Sequence, residues 1–266
     1  MTPTTTSTSA LNRPSVRPQG ANVITIASGK GGVGKTWLAI TLSHALAKHG
    51  RKALLFDGDV GLANVDIQLG LTPGRDLGAV IAGRLKLTDA ITAYGDGGFD
   101  IVAGRSGSGN LATLHPARLT TLHNDLVSLA RRYDDVVVDL GAGVEHAVRQ
   151  LTTGSGRCLV VCTDEPTSLT DAYAFIKIIR LERPALDLRI VVNGASSVRE
   201  GEQTYKTLRK ACENFLKFAP RLGVIVPRDG RVKDSIRNQT PILVRHPGCP
   251  AAVAIEKLAT ALADEG

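Results

Sequence analysis

Seven short runs of the chain are apolar at consecutive positions: NVITIA from Asn22, KALLFD from Lys52, FDIVA from Phe99, DDVVVD from Asp134, CLVVCT from Cys158, LRIVVN from Leu188 and LGVIV from Leu222. A strand with one wet face alternates apolar and polar residues, so an unbroken apolar run describes a strand covered on both faces. Between these runs lie segments of helical period, TWLAITLSHALAKHG, ARLTTLHNDLVSLARR, SLTDAYAFIKIIRLE and EQTYKTLRKACENFL. Strand and helix in alternation predict an α/β fold, a single doubly wound, mostly parallel sheet with helices on both faces. Residues 1–20 stand apart. MTPTTTSTSALNRPSVRPQ has almost no large apolar side chain to offset its ordering entropy, which predicts a disordered arm before one domain over 21–266.

The rest of the composition narrows the function classes. No apolar run approaches the roughly 18–20 residues of a bilayer-spanning helix. No secretory signal opens the chain, which predicts a cytoplasmic location. Cys158, Cys162, Cys212 and Cys249 form no pair of CxxC motifs, which argues against a cluster-carrying protein and for small buried hydrophobes. The formal charge of +7 is concentrated: Ala195 to His246 holds eleven Lys/Arg against five Asp/Glu. Such a stretch is either a solvated basic face or a surface for DNA or anionic lipid.

The chemistry begins at SGKGGVGKTW, Ser28 to Trp37. Gly29-Lys30-Gly31-Gly32-Val33-Gly34-Lys35-Thr36 matches G-x-x-x-x-G-K-[ST] between a strand and a helix, the context this loop needs. Its glycines let backbone N–H groups converge on phosphate oxygens, and the helix N-terminus adds donors and a favourable dipole. Lys35 would hold the β- and γ-phosphates of ATP, and the Thr36 hydroxyl would ligate Mg2+.

Lys30 is a second lysine that a phosphate loop does not need. KGGVGKT resembles the deviant Walker A loop of the MinD/ParA family of P-loop ATPases. The resemblance implies that Lys30 reaches the nucleotide of a second subunit in an ATP-bound homodimer. In LLFDGDVGLANVDIQLG, Asp57, Asp59, Gly61, Asn64 and Asp66 resemble the family's switch I pattern D-x-D-x-G-x-x-N-x-D. By that match Asp59 positions the attacking water near the γ-phosphate and Mg2+, whereas Asp57 and Asp66 read as strand-end or cap carboxylates. DDVVVDLGAG resembles Walker B followed by switch II, with Asp139 holding Mg2+ through water. Two departures stand out. Leu140-Gly141 replaces the usual D-x-P-A or D-x-A-A and adds backbone freedom. Trp37 replaces a small hydroxyl residue, keeping a backbone N–H for the α-phosphate but losing a hydroxyl contact. Asn193, ending LRIVVN, and Pro227, in VPRD, fall where the family contacts adenine, although a strand-end asparagine also serves as a cap.

Within the family, DGDVGLANVDIQLG, TDEPTSLTDAYAFIKII and VVNGASSVREGEQTYKTLRKACENFL resemble the FlhG/FleN flagellar number regulators. That resemblance implies a slow, partner-stimulated ATPase controlling flagellar number or placement. Its partners would be the GTPase FlhF, flagellar switch-complex proteins or a transcription regulator of flagellar genes. The arm SALNRPSVRPQ does not match the branch's GTPase-stimulating D-Q-A-x-x-L-R element. The ending AAVAIEKLATALADEG, with one lysine against three acids, is a weak lipid anchor, so peripheral attachment at the membrane or cell pole is left open. Three alternatives also stay open: a ParA-type partition ATPase binding DNA nonspecifically, a MinD-type septum-site regulator, and a nearly non-hydrolysing ATP-dependent binding protein.

Overall fold

The computed structural model describes residues 20–59, 63–104 and 114–265. Gly61 of the switch I pattern and residues 1–19 of the arm lie outside the described residues. Eight strands form one sheet: β1 (Val23–Ser28), β2 (Ala53–Gly58), β3 (Ile91–Tyr94), β4 (Phe99–Val102), β5 (Asp135–Ala142), β6 (Arg157–Cys162), β7 (Asp187–Ala195) and β8 (Arg221–Pro227). Their order is β3-β4-β2-β5-β1-β6-β7-β8, and every pairing is parallel except that of β3 with β4. The seven apolar runs are the seven parallel strands. β3 is the eighth, an edge strand whose ITAY carries only a half-buried pattern.

Consecutive strand residues feed opposite cores. Leu54, Phe56, Val136 and Val138 pack on one face, against α4 (Pro116–Ala130), α5 (His146–Thr153), α6 (Pro166–Glu182) and α7 (Val198–Leu216). Leu55, Val137, Ile24 and Ile26 pack on the other, against α1 (Lys35–Lys48) and the last helix, α10 (Pro250–Asp264). Both faces are covered, which is why apolar residues dominate these strands, with Thr25 of β1 and Arg189 of β7 buried among them. Burying a Leu- or Ile-sized side chain contributes roughly 1.5–3 kcal/mol. Ile255, Leu258 and Leu262 therefore dominate the attachment of α10, whose apolar positions are buried on this face.

Helix starts follow local chemistry. Pro116, Pro166 and Pro250 open α4, α6 and α10, where the missing N–H has no partner to lose. Ser197 caps α7 by accepting from Glu200 N–H at 3.2 Å. The chain runs from central β1 through α1 leftwards to β2, and from β5 through α5 rightwards to β6. The order thus reverses beside β1, where ligands bind at the carboxyl edge of such sheets.

Candidate functional site

The phosphate loop leaves β1 at that reversal and enters α1 at Lys35. Gly34 has φ +94°, and a Cβ there would fall 2.3 Å from the Asn193 amide nitrogen, so both backbone angle and space demand glycine. At Gly29 a Cβ would lie 2.2 Å from the Asp171 backbone, because the loop presses on the first turns of α6. At Gly31 and Gly32 a Cβ would meet nothing within 4 Å. The open side of the loop is a cradle of main chain, and α1 has no acidic residue in its first turn to compete for an anion.

Beneath the cradle lies a buried group of charges. Lys35 is 8% exposed. Burial lowers its pKa, and the nearby Asp139 and Asp59 pull it back up. Asp139, at the end of the three-valine run, has neither carboxylate oxygen in a hydrogen bond among the described residues. Burial raises its pKa to about 7, with Thr36 and Lys35 drawing it down and Asp59 pushing it up. Its register partner on β2 is Asp57, also buried, whose pKa stands well above normal through burial and then the proximity of Asp139. Asp57 Oδ1 accepts from Asp59 N–H at 3.3 Å, so this carboxylate organises the start of switch I, while Oδ2 has no partner among the described residues.

Buried carboxylate oxygens without partners are costly unless a cation completes them. The Thr36 hydroxyl, the Asp139 carboxylate and the open loop therefore fit Mg2+ with a nucleotide. Among the described residues no three His, Cys, Asp or Glu side chains gather into a metal cage. Mg2+ does not need one, since it keeps several waters and takes one or two carboxylates plus phosphate oxygens.

Asp59 lies against Gly141, where a Cβ would approach its Oδ1 to 3.3 Å. Gly141 thus supplies room for the switch I carboxylate. The left-handed backbone angle in this stretch belongs to Gly143, at φ +97°. Asp66 does not cap a helix from outside. It sits in the first turn of α2 (Val65–Leu69), with Oδ1 accepting from Ile67 N–H at 2.8 Å.

Trp37 points its ring away from the loop. The indole is 5% exposed and lies in the seam between α1, Gln68 and Leu69 of α2, and Ser235 and Ile236 of α8 (Gly230–Arg237). Only its main chain is left to the cradle. Asn193 lies two residues before the end of β7 and Pro227 ends the adjacent β8, with Asn193 opposite Val226 and Pro227 opposite Ala195. The Asn193 amide already donates to Val33 O at 2.7 Å, which ties β7 to the phosphate loop and leaves its carbonyl oxygen for a base edge. After Pro227, Arg228 N–H donates to Ala195 O at 2.8 Å, and Asp229 caps α8.

Lys30 is placed differently from Lys35. Its side chain is 38% exposed, and its ammonium meets Glu165 Oε2 at 2.5 Å and Thr167 Oγ1 at 2.9 Å. Ser28 Oγ donates to Lys30 O at 2.6 Å and fixes the main chain below it. Glu165 and Thr167 carried no site role in the sequence reading. Their signal was present in the Glu-Pro-Thr-Ser run, a carboxylate before a helix-opening proline at a strand's carboxyl end.

The profile of the CobQ/CobB/MinD/ParA nucleotide-binding domain matches residues 24–242. The chain is 37% identical over 237 residues to the antiactivator FleN of Pseudomonas aeruginosa, covering 89% of this chain and 84% of that one. It is 33% identical over 191 residues to the flagellum site-determining protein YlxH of Helicobacter pylori, covering 72% of this chain and 64% of that one. The cell division ATPase MinD of Pyrococcus furiosus superposes with a TM-score of 0.77 at 25% identity, over 92% of this chain and 100% of that one. With its cradle, buried lysine and carboxylate floor, the chain belongs to the CobQ/CobB/MinD/ParA nucleotide-binding family and is a P-loop ATPase of the MinD/ParA type.

Proposed function

We propose that this ATPase is a nucleotide-switched regulator of flagellar number or placement, working as a homodimer when ATP is bound. The switch reading is carried by one observation: two lysines of one loop lie in opposite settings, Lys35 under the cradle and Lys30 on its rim. The flagellar reading is supported by the FleN and YlxH relatives.

In this reading the backbone amides of residues 29–34 and the N-terminus of α1 bind the phosphates, with Lys35 on the β- and γ-phosphates. Thr36 and Asp139 hold Mg2+. Bound Mg·ATP supplies the scissile phosphoanhydride and the cation that offsets its charge. Asp59, given room by Gly141, orients the attacking water, which is most of what phosphoryl transfer asks of a protein. Pro227 and the Asn193 carbonyl face the adenine. Lys30 reaches the partner's phosphates, so that hydrolysis dissolves the dimer and acts as a timer.

Four of the eleven lysines and arginines in the basic stretch 195–246 are ion-paired among the described residues. Arg209 meets Glu213 at 2.8 Å, Lys206 meets Glu202 at 3.5 Å, Arg221 meets Asp187 at 3.0 Å and Arg245 meets Asp234 at 2.5 Å. Among the described residues no helix is long and apolar enough to cross a membrane.

The deciding experiment is a count of flagella per cell by electron microscopy in a strain lacking this gene. Supernumerary, misplaced or missing flagella are expected. A normal count overturns the flagellar reading and leaves the ATPase.

A further inference from the structure

We infer that a trough between α4 and the segment that follows α3 (Leu77–Ile81) docks an acidic, apolar-centred segment of a partner protein. The trough encloses about 410 Å³. It lies apart from the nucleotide site, since none of its lining residues belongs to the phosphate loop, the carboxylate floor or the base-facing turns.

One wall follows from helical period. Arg118, Leu122, Asp125, Leu129 and Arg132 recur every three or four positions, so they share one face of α4 and extend about 21 Å along it. Arg131 keeps the helical backbone past Ala130, which carries Arg132 into the same row. Leu122 and Leu129 are buried, and Ile81 and Leu85 opposite them are half-buried, so the floor is apolar. Along the exposed rim the charges fall in a fixed order: Arg118 at one end, Asp125 midway and Arg132 at the other. The first of these is set in place by the chain opposite. Arg118 Nε donates to Ile81 O at 3.1 Å. Gly83, at φ +74°, makes room beside it, because a Cβ there would fall 2.4 Å from the guanidinium. Lys86 adds a third cation across the trough. Among the described residues none of the three cations has an acidic partner.

Cations at both ends with a carboxylate between them select the occupant. A fatty acid or lipid carries its charge at one end, so it meets one cation and leaves the other. The chain's own residues 1–19 contain Arg13 and Arg17 and no acid, the wrong charge for both ends. A partner segment with Asp or Glu at each end, Leu-like residues between and no acid at its centre complements the whole row. As a helix it needs about fifteen residues to span the trough, and an amphipathic helix laid in an apolar groove is a recurring mode of peptide recognition. The half-buried Ile81 and Leu85 supply the apolar area removed from water. The rim charges set orientation and encounter rate more than affinity.

The test uses the full-length protein and a fluorescein-labelled synthetic peptide of about fifteen residues, with glutamate at both ends, lysine at the centre, leucines between at helical spacing and alanine elsewhere. Fluorescence anisotropy compares wild type, Arg132→Glu and the Arg118→Glu/Arg132→Glu double variant. Expected is saturable binding to wild type, weakened roughly tenfold or more in Arg132→Glu, with ATP affinity and melting temperature unchanged in that variant. A charge-swapped peptide, with lysine at the ends and glutamate at the centre, should bind the double variant and not wild type, a rescue that an unfolded variant cannot give. Absence of saturable binding to wild type, or equal binding to wild type and Arg132→Glu, overturns the inference. Flotation of wild type on phosphatidylglycerol vesicles that is lost in Arg132→Glu also overturns it and assigns the trough to lipid. In cells, a photo-crosslinker in place of Thr121, on the same wall, should trap a partner through an acidic, apolar-centred segment. A trapped segment without acids overturns the stated chemistry of the partner.

Discussion

The floor and the rim of the phosphate loop hold their charges in different ways. On the floor, Lys35, Asp139 and Asp57 are shut away from water, and three carboxylate oxygens have no hydrogen-bond partner among the described residues. On the rim, Lys30, Glu165 and Thr167 are partnered and solvated. A buried charge is held by neighbours it cannot exchange, so removing one leaves the others uncompensated. An exposed charge changes partners at small cost. The two ends of one loop therefore differ in what they lack: the floor has buried carboxylate oxygens without partners among the described residues, whereas Lys30 on the rim already has two.

The largest effect should come from the floor. Lys35→Ala removes the cation that faces Asp139, and losing one member of a buried charge pair typically costs about 3–5 kcal/mol, or roughly 10²–10⁴-fold in an equilibrium constant. Calorimetric titration with ATP should find binding reduced at least that far. Undiminished affinity would sink the assignment of the loop. Next comes Asp59→Ala, which keeps the floor and takes away the group that orients water. A positioned acid–base group contributes about 10²–10⁴-fold. Single-turnover hydrolysis should fall at least a hundredfold with nucleotide affinity nearly unchanged, and a wild-type rate in the variant would remove Asp59 from the chemistry.

The floor should also show itself without nucleotide, as a dependence of stability on pH. Asp139 has a folded pKa of about 7, raised from 3.8 chiefly by burial. The folded state therefore binds the proton more tightly than the unfolded state does. Its contribution is fully present below the unfolded value and is lost as pH rises through about 7. In EDTA, the melting temperature should fall between pH 6 and 8 by more in wild type than in Asp139→Asn. Parallel curves would mean that Asp139 is not the buried proton site. The rim offers no counterpart, because Glu165 is pulled below the usual carboxylate range by the Lys30 hydrogen bond and titrates well outside that window.

What the sequence made legible divides along the same lines. The parallel strands, the loop and the carboxylates at the strand ends were readable because each depends on residues adjacent in the chain. Apolar runs give strands, and a strand's last residue is at the carboxyl edge by construction. The edge strand β3 was missed because ITAY packs on one partner only and carries no continuous apolar signal. The short helices α2, α3 (Leu77–Ile81) and α9 (Ile242–Arg245) are too brief for a period to declare itself. Contacts bridging distant segments were also out of reach. Asn193 to Val33 and Lys30 to Glu165 each join residues more than a hundred positions apart. The spacing of a motif names its residues and leaves their partners to the fold.

Trp37 gives the smallest expected effect on the site and the sharpest test of where the rim ends. By spacing it belongs to the loop, and by packing it belongs to the core between α1, α2 and α8. Trp37→Ser restores the hydroxyl that a phosphate contact would use and empties a buried seam. Truncating a buried aromatic costs about 3–5 kcal/mol, which in a chain of this size lowers the melting temperature by roughly 10 °C. ATP affinity should move by less than about threefold, within the range of a single exposed hydrogen bond. Because Trp37 is the chain's one tryptophan, its emission reports the seam directly. Wild-type emission should shift when ATP binds, since α2 follows switch I and α8 follows the base-facing turn. A strong loss of ATP affinity with little loss of stability would place the indole on the nucleotide after all, and the boundary between switch and core would have to be drawn one turn further into α1.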